Sequence, residues 1–415
     1  LRRQFSVGYE FEHTFENDWT LRQNARYGYS DLQEFNLYPF GYSGFSPTPV
    51  LANPEFSRIV FKHDTTINNV LLDTQFDGQV MTGAVENNLL FGVDYNYINL
   101  DQVQAATTGT TISVTDPQYG AAQPSPVPYI DQTVDQHRIG LYVQDRLKFG
   151  DGWTVTLNAR YDYVDTNATG LPAYKGNDHA LSGRAGIAYA FDTGFTPYAS
   201  AATFFNPLIG SSSQVAFYEP ETGVQYEAGL KYQPSWFDGI FTIAYFDITR
   251  QNVVSGSFGS ETQIGEVRSR GVEFEARANV TEDLNLTAAV TAYDLEITED
   301  ADASIVGNTP NTVPEQFASL WVNYTVPEEI GMFEGITFGG GVRYQGGSWV
   351  DNANTEKVPS ATLFDAKVGY EKENWGVDLN VPNIADKRYV ASCTSVYACS
   401  YGEGRSFKLR AYAKW

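Results

Sequence analysis

The side chains able to do bond-making chemistry in this 415-residue chain are few and badly placed for it. His13, His63, His137 and His179 are the four histidines, and none has a partner at metal-ligand spacing. No Ser-His-Asp arrangement, Gly-rich phosphate loop or paired-carboxylate constellation stands out from the background of 50 acidic residues, so no catalysis and no resident metal or cofactor are expected. Cys393 and Cys399, six positions apart, predict a small disulfide-closed loop in an oxidising compartment, with a cytosolic thiol pair as the alternative. What remains is recognition by rings. Tyr38, Phe40, Tyr42 and Phe45 crowd one loop; Tyr397 and Tyr401 flank the cysteines, and Phe204 ends a strand beside Phe205. Such rings can close over a ligand, or pack as an interface girdle or a loop core. Arg268, Arg270, Glu273 and Glu275 form a charged run, but Arg270 and Glu273 differ in parity and cannot share a strand face without a bulge.

The elements that must carry these residues are strands. Phe407, Leu409, Ala411, Ala413 and Trp415 alternate with Lys408, Arg410, Tyr412 and Lys414 at the chain's end. Runs beginning at Trp19, Trp153, Leu284 and Trp375 alternate in the same way. An apolar strand face needs a cover, and lipid provides one for a transmembrane β-barrel. A large soluble sandwich would share the period. No stretch approaches the ~18 apolar residues of a membrane helix. The 27 Tyr, 26 Phe and 7 Trp fit ring-bearing girdles at two membrane interfaces. A formal charge of −23 argues against nucleic-acid binding and fits acidic loops on a cell surface. Leu1-Arg2-Arg3 shows no initiator Met, apolar h-region or cleavage site, so an export signal is expected to have been removed.

Connections alternate in length. Short turns are expected at Glu16 to Asp18, Phe76-Asp77-Gly78, Gly150 to Gly152, Asp192 to Gly194, Ser235 to Gly239, Thr281 to Asp283, Pro327 to Glu334 and Glu371 to Asn374. Longer connections fall near 31–56, 99–133, 167–178, 208–222, 254–262, 298–313, 347–356 and 390–403. Short periplasmic turns and long extracellular loops are the outer-membrane pattern. The count is seventeen strands. Single-chain bacterial barrels have even numbers, so a wall lacking an odd number of N-terminal strands is expected.

Several motifs then resemble one family. Pro220-Glu221-Thr222-Gly223-Val224-Gln225-Tyr226-Glu227-Ala228-Gly229-Leu230-Lys231-Tyr232 resembles a stretch of TonB-dependent siderophore receptors. So do Phe246 to Asn252, Gly265 to Glu273, Gly307 to Pro310 with Val313-Pro314, and Gly341-Val342-Arg343-Tyr344. The Asn383 to Tyr389 turn, the two cysteines and Tyr401-Gly402-Glu403-Gly404-Arg405 complete a pattern similar to the ferrichrome-type branch, specific across roughly 220–415 and weaker before it.

The resemblance implies an all-β transmembrane antiparallel barrel of twenty-two strands, preceded by a lumen-filling plug and a TonB box. Residues 1–415 would then be the C-terminal portion of that barrel, without the plug, the box or the first five strands. Implied partners are a ferric siderophore, the TonB-ExbB-ExbD system through the missing part, and outer-membrane lipid with lipopolysaccharide. The implied function is TonB-dependent uptake of ferric siderophores, of hydroxamate type, across the outer membrane of a Gram-negative bacterium. The alternatives are a passive porin or a surface receptor or adhesin. Tyr38, Phe40, Tyr42, Phe45, Phe204, Tyr397 and Tyr401 become candidates to hold the chelate; Arg268, Arg270 and Arg343 become candidates to face the lumen and plug. The chelator already saturates the iron, so the protein need not ligate it. Where relatives carry Asn-Asn-Leu-Phe-Asp this chain has Pro382-Asn383-Ile384-Ala385-Asp386, which places Pro382 at a bulge or strand end. The register implied by alternation sends Trp153, Leu157, Leu284, Leu286, Leu409 and Trp415 to lipid, and Arg22, Arg160, Arg184 and Lys408 to the lumen.

Overall fold

Period-two alternation folds into one long antiparallel meander. The computed structural model describes every residue except 51, 210–217, 256–261 and 415. In chain order the first strands are β1 (Arg2–Thr14), β2 (Thr20–Tyr42), β3 (Glu55–Thr82), β4 (Val85–Thr108) and the short β5 (Ile112–Ser113). Next come β6 (Val127–Phe149), β7 (Trp153–Leu171), β8 (Tyr174–Tyr189), β9 (Phe195–Asn206) and β10 (Glu221–Tyr232). β11 (Gly239–Ser255), β12 (Thr262–Asn279), β13 (Leu284–Glu299) and β14 (Gln316–Thr325) follow, and a 3₁₀ turn, Glu328–Phe333, leads to β15 (Ile336–Gln345). The last elements are β16 (Ser348–Trp349), β17 (Lys357–Val358), β18 (Ala361–Lys372), β19 (Trp375–Val381), β20 (Val390–Ser395), β21 (Ala398–Tyr401) and β22 (Lys408–Ala413).

Seventeen of these are wall strands, each hydrogen-bonded to the next in wall order. β5 extends the β3 edge, while β16–β17 and β20–β21 are small hairpins outside the wall. Among the described residues β1 pairs only with β2 and β22 only with β19, so the sheet carries two free edges.

Directly opposed residues share a face, so the register sorts the whole wall. Arg160 opposes Tyr142, Asp94 opposes Gly140, and Asp73 opposes Asp94. That face continues through Arg22, Arg184, Asp378 and Lys408 and is polar. On the other face Trp153, Leu157, Leu284, Leu286 and Leu409 follow the same parity and are apolar. These orientations match the sequence expectation; Trp415 lies outside the described residues. The apolar face is the lipid face. On β13 it runs from Leu284 to Ala292, close to the length of about 9–11 residues that a tilted strand needs to cross a membrane. Its periplasmic end is ringed by aromatic contacts: Trp153 on Tyr189 at 4.8 Å, Phe195 on Tyr232 at 4.1 Å and Tyr370 on Trp375 at 5.5 Å between centroids.

Two expectations about connections change. The turn assigned to Phe76-Asp77-Gly78 is strand: β3 continues to Thr82 and turns at Gly83, whose φ is +65°. Gly78 serves packing, since a Cβ there would meet the Trp19 ring at 2.3 Å while Trp19 stacks on Phe76 at 4.7 Å. The expected loops at 31–56, 99–133 and 167–178 are largely strand, and β7 and β8 are joined by Pro172 and Ala173 alone. Above the membrane both faces of a strand meet water, so alternation fades although the ladder continues. β3, at 28 residues, is far longer than a crossing requires.

Candidate functional site

The extracellular end of the wall is organised from the Asn383 turn. Pro382 lies just past the end of β19, where no ladder donor is lost. Asn383, 2% exposed, satisfies its whole side-chain amide locally. Its Nδ2 donates to the carbonyls of Lys387 and Glu403 at 2.9 and 3.1 Å, and its Oδ1 accepts from the Lys387 amide at 2.9 Å. Its own N–H donates to Asp365 Oδ1 at 2.8 Å. Asp365 also receives the Arg343 guanidinium in two bonds of 2.5 and 2.9 Å, so turn and lumen wall are one hydrogen-bonded unit. Positive φ at Asn383 (48°) and Asp386 (52°) explains the residue types, since Asn and Asp tolerate the left-handed region. Asp386 Oδ1 then accepts from the Arg405 amide at 2.9 Å, tying the turn to the segment entering β22. Nearby, donation from the Ser406 hydroxyl at 2.8 Å, reinforced by Lys408, holds the Glu403 carboxyl below its ordinary pKa.

That turn launches the β20–β21 hairpin, closed by the Cys393–Cys399 disulfide. Cys393 is buried with Val350 and Val358, and Val390 and Val396 pack against them, so the hairpin shares a small core with the β16–β17 loop. Gln345 Nε2 adds a bond to the Ala391 carbonyl at 3.3 Å. The β16–β17 loop is in turn knitted to the loop after β13: Asn354 Nδ2 donates to the Thr309 carbonyl at 2.7 Å, and Asn308 Nδ2 to the Asn352 carbonyl at 2.9 Å.

At its tip the hairpin reaches the end of β2. The Gly41 amide donates to the Tyr397 carbonyl at 2.9 Å, and the Phe40 ring stacks on Tyr397 at 5.7 Å with 29° between planes. Phe45 meets Phe40 edge-on at 6.3 Å. Phe40, Phe45 and Tyr397 therefore form one aromatic cluster, with Phe45 and Tyr397 still 40% and 38% exposed. Tyr42 instead packs, tilted, on its cross-strand partner Phe56 at 5.1 Å, at the top of the β2–β3 ladder. Tyr38 opposes Ile59 near the extracellular end of the β2–β3 ladder, and Tyr401 is exposed at the hairpin's base. Phe204 stands apart on β9, lying over Gly223, where a Cβ would meet its ring at 2.4 Å.

The arginines divide. Arg343 lies on the polar face and lines a cavity of about 290 Å³ with Phe317, Leu363 and Tyr389. Arg268 and Arg270 do not face the lumen: they share the parity of Val272 and Phe274 and pair with Asp247 and Asp294 on the outer side. The sequence carried the signal, since Arg268, Arg270, Val272, Phe274 and Ala276 form one alternating series whose lower members belong to the lipid belt. Their charges are accommodated because they sit above that belt beside carboxylates. Glu273 and Glu275 take the lumen face instead. Sequence reading missed Phe317, Tyr389 and Asp365; none belongs to a ring-rich loop or a charged run.

Below the mouth the lumen face carries a linked ion-pair network. Arg160 binds Asp94 at 2.5 Å and Asp162 at 2.7 Å, and Arg138 binds Asp162 at 2.9 Å. Tyr142 donates to Asp73 at 2.6 Å, and Arg22 joins Glu12 at 2.9 Å and Asp77. Lys367 pairs with Asp378 at 3.1 Å. Among the described residues no three His, Cys, Asp or Glu side chains gather to hold a metal ion.

An apolar belt outside, a charged lumen inside and an aromatic extracellular mouth define the wall of an outer-membrane β-barrel. The family model for the TonB dependent receptor-like β-barrel matches residues 2–384, and the chain belongs to that family, whose members are receptors and transporters of the outer membrane, not enzymes. It is 34% identical over 427 residues to the ferrioxamine receptor of Yersinia enterocolitica, covering 98% of this chain and 58% of that protein. Over 435 residues it is 34% identical to the ferrichrome outer membrane transporter/phage receptor of Escherichia coli K12, covering 97% of this chain and 57% of that protein. The fold matches the crystal structure of the siderophore receptor PiuA from Acinetobacter baumannii with a TM-score of 0.84 at 22% identity, over 100% of this chain and 64% of that one. The chain thus spans less than two thirds of the proteins it resembles.

Proposed function

We propose that this chain is the wall and extracellular mouth of a receptor that takes up ferric hydroxamate siderophores, energised by TonB-ExbB-ExbD. The observation that carries the reading is the Phe40–Phe45–Tyr397 cluster, in which rings from the end of β2, the loop after it and the distant β20–β21 hairpin meet with part of their surface open. A ferric hydroxamate presents apolar arms and planar, conjugated groups around iron that needs no protein ligand, and ring faces suit that shell. Relatives named for ferrioxamine and ferrichrome support the hydroxamate class. The coverage of the relatives and the two free sheet edges support a complete receptor with a further five strands, a plug and a TonB box outside residues 1–415. Lipid and lipopolysaccharide are the proposed partners of the outer face.

The test is binding of ferric trihydroxamates to the complete receptor by tyrosine and tryptophan fluorescence quenching, with growth under iron limitation in cells with and without TonB. Saturable quenching and TonB-dependent growth are expected. A receptor that binds catecholate or citrate chelates but no hydroxamate would overturn the substrate class, and growth independent of TonB would overturn the mechanism.

A further inference from the structure

The Cys393–Cys399 disulfide lies outside the wall's strand ladder, since β20 and β21 pair only with each other among the described residues. Its place in the fold is at a junction of three loops. One cysteine is anchored: Cys393 is buried against Val350 and Val358. The other closes the loop Thr394 to Ala398, which holds Tyr397. From that loop Tyr397 contacts the opposite segment twice, by its carbonyl to the Gly41 amide at 2.9 Å and by its ring to Phe40 at 5.7 Å. The fit at Gly41 is close. Its φ is +75°, and a Cβ there would lie 2.9 Å from the Ser46 carbonyl oxygen and 3.3 Å from the Tyr397 ring.

We propose that the disulfide is a positioning device for chelate capture: it transmits the anchoring of Cys393 to Tyr397 and so holds the aromatic cluster together across the mouth. The inference rests on the function proposed above and deepens it. Without the cross-link the five-residue tip regains conformational freedom, which both contacts to the end of β2 must then overcome. Ring faces that are not already gathered must be ordered by the ligand, and affinity falls by that cost. Tyr397 touches ligand; the cysteines act only through it.

The experiment is a mutant cycle on the full-length receptor in detergent, with a linear ferric trihydroxamate as probe. The variants are C393A/C399A, Tyr397→Ala, and all three substitutions together. Cysteine removal is expected to weaken binding roughly 5–10-fold, the equivalent of about one aromatic contact. In the Tyr397→Ala background it is expected to cause no further loss. An equal loss in both backgrounds, or none in either, overturns the positioning role. A ligand-free readout separates this failure from failure of the functional reading. Amide exchange of the segment around Gly41 should accelerate in C393A/C399A while that of β18 and β19 stays unchanged. Unchanged exchange at Gly41 overturns the proposal whether or not the receptor binds hydroxamates.

Discussion

Phe40 stacks on Tyr397 at the extracellular mouth, joining the end of the second wall strand to the hairpin before the last one. Neither ring is held there by its own loop alone. Truncating either removes a contact worth about 1 kcal/mol together with open ring surface for a ligand. Phe40→Ala is therefore expected to raise the Kd for a ferric trihydroxamate about tenfold. Titration by fluorescence quenching checks this, with Tyr42→Ala as the contrast: Tyr42 is engaged with Phe56 and should change affinity little.

Gly41→Ala tests the geometry of the same junction. A side chain at φ +75° is strained, and here it would also press on the Ser46 carbonyl. A cost of about 1–2 kcal/mol, confined to the end of β2 and the loop after it, is expected. Limited proteolysis should cut the variant faster between Ser43 and Pro54, with the wall intact on heated and unheated gels.

Asn383→Ala should destabilise the receptor more than its turn position suggests. It leaves the Lys387 amide and two carbonyls without their partners in a buried site. A loss of about 2–3 kcal/mol is expected, read as a lower melting temperature in detergent. Asn383→Asp should restore the bond from the Lys387 amide but not the two donations.

In the lumen, Asp162 is 1% exposed and neutralises Arg138 and Arg160 together. Asp162→Ala strands two guanidiniums around one remaining carboxylate, Asp94, and should cost about 3 kcal/mol or more in stability. Removing Arg138 as well should recover part of that loss, because the surviving Arg160–Asp94 pair is balanced. A double variant no more stable than the single one would show that the network is not coupled.

The wall register has its own test. Leu157 and Asn158 are adjacent but point to opposite faces. Leu157→Arg places a charge near the middle of the lipid belt and should cost about 2–4 kcal/mol, whereas Asn158→Arg enters a wet lumen and should be tolerated. Folding yield into lipid vesicles distinguishes them, and the reverse order would invert the assigned faces.

Much of this wall was legible in the residues because a strand's face depends only on parity, and lipid demands an uninterrupted apolar series. The runs from Trp153, Leu284, Trp375 and Phe407 show this, as does the seventeen-strand count. Reading failed where lipid no longer constrains the pattern. The tall extracellular ladders of β2, β3, β4 and β7 looked like loops because water wets both their faces. Arg268 and Arg270 carry charges that suggest a lumen position, yet their parity with Val272 and Phe274 sends them to the outer face.

Local chemistry along the chain determined the strand period, the two faces and, except at the two-residue β7–β8 turn, which connections are short and which long, since each follows from neighbouring residues and the solvent they meet. Only tertiary structure decided what depends on distant segments meeting. Gly78 became a seat for Trp19 rather than a turn, Asp365 became the joint between Arg343 and Asn383, and Tyr397 came to rest on Phe40. Those contacts are set by barrel curvature and loop packing, which bring residues together irrespective of their separation in sequence.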